Sequence, residues 1–166
     1  MATKEQEINT ERFAKRLKES QPAVDFAKEY LERNGYEVVK PEDKGVTPSY
    51  EDRMKYVDNG DLYCKKGDTD EWCRVEVKHQ SREFTCKEDW PFKNMFVLAK
   101  HALDRANPKP SFYLNFNKSL THVAKISSES ESEWFLMPFQ DKRYLNKRET
   151  AYACPINFVE FSTVGV

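Results

Sequence analysis

Two acids and a lysine in this chain stand at a spacing that suits a divalent cation. Asp61 follows Gly60, and Glu76 comes 15 residues later with Lys78 just beyond it. In the run 72–79, Trp72, Arg74, Glu76 and Lys78 alternate with Cys73, Val75, Val77 and His79. That is the period of a strand, so Glu76 and Lys78 share a face and lie about 6.6 Å apart along it. A preceding strand over 56–64, folded back through the turn Lys66-Gly67-Asp68, brings Asp61 towards Glu76. Two close carboxylates repel, and a hard cation relieves that cost. Mg²⁺ takes one or two carboxylates and keeps several waters; the backbone carbonyl of Val77 is the third candidate ligand. Such an ion polarises a phosphate and acidifies a bound water. Lys78 then neutralises developing charge or orients the water. The plainer alternative is a solvated sheet face, with surface pairs worth about 0.2–1 kcal/mol.

Neighbouring residues extend the candidate site. Gln80 shares the face of Glu76 and Lys78 and is placed to hold a phosphate or the attacking water. His79 points the other way. Asp58 offers a further carboxylate, or closes a turn. In the acidic, aromatic stretch 83–92, Lys87 and, just beyond, Lys93 are phosphate candidates. Trp90 and Phe92 are either a loop anchor or a surface for an unpaired base. Lys142, Arg143, Lys147 and Arg148 form the densest basic cluster and would steer a nucleic-acid backbone if they faced Asp61. A Cys64–Cys73–His79 metal site lacks a fourth ligand and the usual spacing.

These residues must be positioned by the elements around them. Residues 1–9 are polar and expected to fray. A short helix is expected over 10–19, interrupted at Gln21-Pro22. A second helix should run over 22–33, with Val24, Ala27 and Leu31 on one stripe. Asn34-Gly35 stops it, and 36–40 is a strand. Residues 41–55 are read as a loop. The segment 93–106 is either one helix or a strand at 94–99 followed by a turn or short helix. Residues 111–117 and 120–127 predict a hairpin. After a solvated linker at 129–133, short strands are expected at 134–137 and 156–161. Residues 141–150 are expected as a helical turn or a loop.

The Gly60-Asp61 … Glu76-Val77-Lys78 arrangement, behind a leading helix and a strand, resembles the PD-(D/E)XK nuclease superfamily. The resemblance covers roughly residues 10–80. It implies that Asp61 and Glu76 are metal ligands and that Lys78 is the catalytic lysine. It also implies Mg²⁺ or Mn²⁺ as cofactor, and hydrolysis of phosphodiesters in DNA. Members often add an acid from the leading helix, for which Glu29 and Glu19 are the candidates. Glycine stands here where the family commonly has proline before the first acid.

Composition sets the outer bounds. The chain has 166 residues and a net charge of -1, with 39% apolar and 13% aromatic residues. That aromatic content argues against disorder throughout, and the length suits one domain. The expected arrangement is a core over 10–127 with a C-terminal extension, 128–166, packed on it. No apolar run approaches the roughly 18 residues of a membrane span. The N-terminus has no apolar signal core, and none of the four cysteines forms a CxxC pair, so an intracellular setting is expected. No long segment is strongly basic.

The expected fold is α/β: a mixed central β-sheet flanked by helices, with a restriction-endonuclease-like αβββαβ core and extra C-terminal strands. The expected activity is metal-dependent cleavage of DNA by a homodimer, selecting structure rather than a long sequence. The rival is a non-catalytic nucleic-acid- or protein-binding module on the same fold. A hydrolase of small phosphate esters is a third possibility.

Overall fold

A computed structural model describes residues 3–40, 62–140 and 148–165; within the first helix, the side chains of 13–14 and 16–21 are outside that description. The first element, α1 (Lys4–Arg33), is one continuous helix. The polar run expected to fray is helical from Lys4, because Thr3 caps it: the Gln6 N–H donates to Thr3 Oγ1 and the Thr3 N–H to Gln6 Oε1, at 3.1 and 2.9 Å. The expected break at Pro22 is also absent. Pro22 lies inside the helix with its ring exposed, and Ala23, Val24, Ala27 and Leu31 bury the next turns against a sheet. That packing outweighs the hydrogen bond a proline forfeits. The helix stops at Asn34, and Gly35 has φ +90°, a conformation that costs glycine no Cβ clash.

The strands that follow are β1 (Tyr36–Val39), β2 (Leu62–Lys66) and β3 (Cys73–His79), which pair as an antiparallel meander. Gly67, with φ +50°, sits in the β2–β3 turn. The chain then crosses over through β4 (Asn94–Ala99) and α2 (Lys100–Arg105). Of the two alternatives for 93–106, strand then short helix is the one adopted. β5 (Phe112–Phe116) returns parallel to β3, and β6 (His122–Ser127) forms the expected hairpin with it. A single 3₁₀ segment, Ser128–Glu133, occupies the expected linker. β7 (Phe135–Gln140) and β8 (Arg148–Pro155) pair with each other, and β9 (Glu160–Thr163) pairs with β6.

Two sheets result: a mixed six-stranded one, in the order β1-β2-β3-β5-β6-β9, and an antiparallel three-stranded one, β4-β8-β7. α1 packs on one face of the large sheet over Val38, Leu62, Cys64, Val75, Val77, Leu114 and Phe116. The opposite face, through Tyr113, Ala124 and Ile126, packs on Met95, Val97 and Leu98 of β4, Leu103 of α2 and Cys154 of β8. A central sheet is therefore flanked by helices, and the small sheet completes the second layer. β4 reaches its partner with a bulge: Phe96 pairs with Ala153 and Leu98 with Tyr152, leaving Val97 as the extra residue. Pro138 lies in β7, at the outer edge of the small sheet. Among the described residues no helix is long and apolar enough to cross a membrane.

Candidate functional site

Strand alternation separates the two faces of β3. Val75 and Val77 enter the core under α1. Arg74, Glu76 and Lys78 face the other layer, and parallel pairing sets Glu76 beside Tyr113 and Lys78 beside Asn115. Glu76 and Lys78 therefore share a face, as their spacing predicts.

The environment of that face is drier than a solvated one. Glu76 is 5% exposed and Arg74 1%. Arg74 Nη2 donates to Glu76 Oε1 at 3.0 Å, and Arg74 Nη1 donates to the Pro108 carbonyl at 3.1 Å. The buried carboxylate is thus matched by a buried cation, which offsets its desolvation. Tyr113 adds a hydroxyl that is buried and without a hydrogen-bond partner among the described residues. Burial pushes its ionisation far up, and the neighbouring Glu76 charge pushes it further. The Lys78 ammonium lies 4.6 Å from the centroid of the Phe96 ring, which packs edge-on against Phe139 at 5.1 Å. An ammonium over an aromatic face is attracted by the ring's negative quadrupole.

Gln80 continues this face beyond the strand. Its backbone N–H donates to the Phe116 carbonyl at 2.9 Å, and Nε2 donates to Asn115 Oδ1 at 3.2 Å. His79 turns outward, and its Nε2 donates to the Lys118 carbonyl at 2.9 Å.

Glu76, Lys78 and Gln80 are brought together; the other candidates divide. Asp61, Asp58, Lys142, Arg143 and Lys147 lie outside the described residues, as does the side chain of Glu19. Glu29 is exposed on α1, in the layer across the sheet from Glu76. The structure does not join those two acids. Val77 is buried in β3. Arg148 is exposed where β8 begins, opposite Gln140. Lys87 and Lys93 are exposed beyond β3. Trp90 is the anchor of its loop: it is 8% exposed, and its indole N–H donates to the Asn94 carbonyl at 2.9 Å. The same loop is closed by Asp89, which accepts from the Thr85 hydroxyl and from the Thr85 and Cys86 N–H groups. The Thr85 side chain foremost, then those N–H groups, hold the Asp89 carboxyl below the usual aspartate range. Cys64, buried under α1, has its thiol pushed up to about 11 by desolvation.

Two features carry little sequence signal. His101 Nδ1 lies 3.1 Å from Glu149 Oε2, beside a cleft of about 360 Å³ lined also by Lys100, Asp104, Arg105 and Thr150. Nothing in their sequence separation connects the histidine with the glutamate. Arg82 stacks on Phe92, ten residues away; the aromatic loop was visible in the sequence but the cation on it was not.

Among the described residues no group of three or more His, Cys, Asp or Glu side chains is placed to hold a metal ion. They contribute two buried carboxylates, Glu76 beside Arg74 and Glu149 beside His101, on different strands; Glu76 is the one on the β3 face. Its chemistry suits a hard cation, and Asp61 is the second carboxylate such an ion would need. Compared with protein-family models, with curated proteins and with solved structures, the chain matches none.

Proposed function

We propose that the protein is a metal-dependent nuclease of the PD-(D/E)XK kind, acting on DNA as a homodimer inside the cell. The observation that carries this reading is the register of the β2–β3 hairpin. Leu62 pairs with Val75. Asp61 is the chain neighbour of the first, Glu76 of the second, and Lys78 stands one strand period further on. The order of elements supports it too: helix, antiparallel meander, crossover, parallel strand.

Asp61 and Glu76 would hold Mg²⁺ or Mn²⁺, with the Val77 carbonyl as a further oxygen. The ion supplies a polarised phosphate and a bound water of lowered pKa. Lys78 places a positive charge where the pentavalent phosphate gathers negative charge, and the dry surroundings strengthen that attraction. Gln80, fixed by Asn115, presents its carbonyl oxygen as an acceptor that orients a water. Lys87, Lys93 and Arg148, with Lys142, Arg143 and Lys147, supply cations for the phosphate backbone.

A second reading is favoured by one specific observation. Arg74 already engages Glu76 in the interior, as a purely structural pair does. On that reading the chain is a non-catalytic nucleic-acid- or protein-binding module. The test is incubation with Mg²⁺ or Mn²⁺ and labelled linear, nicked, flap and four-way DNA. We expect cleavage of at least one form, reduced about 100-fold or more in both Asp61→Ala and Lys78→Ala. Binding without cleavage by any preparation selects the module.

A further inference from the structure

Past β3 the chain stays fastened to the end of β5, and there it builds a flat, charged surface. The Lys118 N–H donates to the Arg82 carbonyl at 3.0 Å, which fixes the backbone of Arg82. The Arg82 guanidinium carbon lies 4.7 Å from the Phe92 ring centroid and 5.7 Å from that of Trp90. Phe92 is 51% exposed, the most exposed large apolar side chain among the described residues. Its support is rigid. Trp90 meets it edge-on at 5.8 Å, Phe84 meets Trp90 at 5.4 Å, and Phe161 backs Phe84 at 5.7 Å. An exposed ring braced by three buried or half-buried ones is not there to fill a core.

The charge around it has one sign to spare. Among the described residues Arg82, Lys87, Lys93 and Lys118 make no ion pair. Three acids stand against these four cations: Glu83, which accepts from the Ser119 N–H, Asp89, which accepts from its own loop, and Glu88, so the balance is positive by one. Arg82 is four residues from Lys78, at most about 14 Å of chain.

We propose that Arg82 and Phe92 form a stacking platform for an unpaired nucleobase, with Lys87, Lys93 and Lys118 taking the flanking phosphates. Every base has a π-face, and both aromatic rings and guanidinium planes stack on it. In continuous duplex those faces are covered by neighbouring bases, so the platform selects nucleic acid with a single-stranded segment. The inference rests on the nucleic-acid reading above and deepens it, by naming the form of substrate that site would receive.

Fluorescence anisotropy on the full chain, without divalent cation, tests it with three DNA probes: a single-stranded oligonucleotide, its blunt duplex, and the same single strand with consecutive abasic sites. A single-stranded RNA of the same sequence is the fourth probe. We expect the wild type to bind the single strand more tightly than the duplex. Phe92→Ala should weaken single-strand binding about ten-fold and leave abasic binding unchanged. Arg82→Lys, which keeps the charge but loses the plane, should reproduce part of that loss, and Phe92→Tyr should restore affinity. Equal loss on RNA and DNA supports a base platform indifferent to the sugar. Equal loss on the abasic and intact strands overturns the proposal, because phosphate contacts would then explain it. Single-strand binding unchanged in both Phe92→Ala and Arg82→Lys also overturns it, while the nuclease reading is judged separately by cleavage with Mg²⁺ or Mn²⁺. Phe92-dependent binding without cleavage by any preparation keeps the platform and removes the nuclease. No binding to any probe removes both. Phe92 is exposed, so its variants are expected to melt like the wild type, which circular dichroism checks.

Discussion

At the scale of single residues the decisive contact is Arg74 with Glu76. Their side chains are 0% and 7% exposed, so water screens the pair little. Removing one member strands the other. Arg74→Met is expected to cost about 3–5 kcal/mol in urea unfolding, while Arg74→Met with Glu76→Leu recovers much of that loss. A single-variant cost below about 1 kcal/mol would show the pair to be wet. The face itself was legible in the sequence, because alternation alone puts Arg74, Glu76, Lys78 and Gln80 together. What alternation does not carry is depth. Nothing in 72–79 announces that a second sheet will cover the face, or that Phe96 will sit beneath the Lys78 ammonium. The residues that cover it come from β4, β7 and β8, at sequence distances where periodicity is silent. Trp90 took the plainer of its two readings, since its indole N–H found a carbonyl four residues on.

At the scale of elements the instructive case is α1. Proline inside a helix costs about 3 kcal/mol relative to alanine, part of it returned through the stiffer unfolded chain. Pro22→Ala is therefore expected to stabilise the protein by about 2 kcal/mol and raise Tm by roughly 4–8 °C, measured by thermal denaturation. No change, or a fall, would mean that the helix bends at Pro22 to fit the sheet. Sequence reasoning weighed the proline as a local breaker and could not weigh the long-range burial of Ala23, Val24, Ala27 and Leu31. The opposite held for β3 and the β5–β6 hairpin, where alternation and turn residues agree with the tertiary result. β8 escaped altogether: Arg148, Glu149 and Thr150 read as part of a helical turn or a loop, and the central strand of the small sheet begins on them. β8 does alternate in burial, but its buried positions begin with Glu149 and two alanines and its other face carries Tyr152, so no apolar–polar period shows in the sequence.

At the scale of the whole molecule, two cores lie on the two faces of one sheet. β5 and β6 contribute side chains to both, which couples the two cores through shared strands. Trp90 and Trp134 report the core between the sheets, whereas far-ultraviolet circular dichroism is dominated by α1 on the opposite face. The two signals are expected to trace one coincident urea transition. Separate midpoints would show that α1 detaches first. Element order and sheet type were within reach of the sequence, because helix, meander and crossover each have local signs. The layering was not, because it depends on which sheet face β4 and β8 select.

Phe135 and Leu136 stand 42% and 49% exposed on β7, a marginal strand of the small sheet. Such a greasy border invites a second molecule to zip on and start a fibril. Pro138, two residues along, has no amide hydrogen to offer a newcomer. That edge therefore keeps two large apolar side chains in water while withholding one of the backbone donors that strand addition needs.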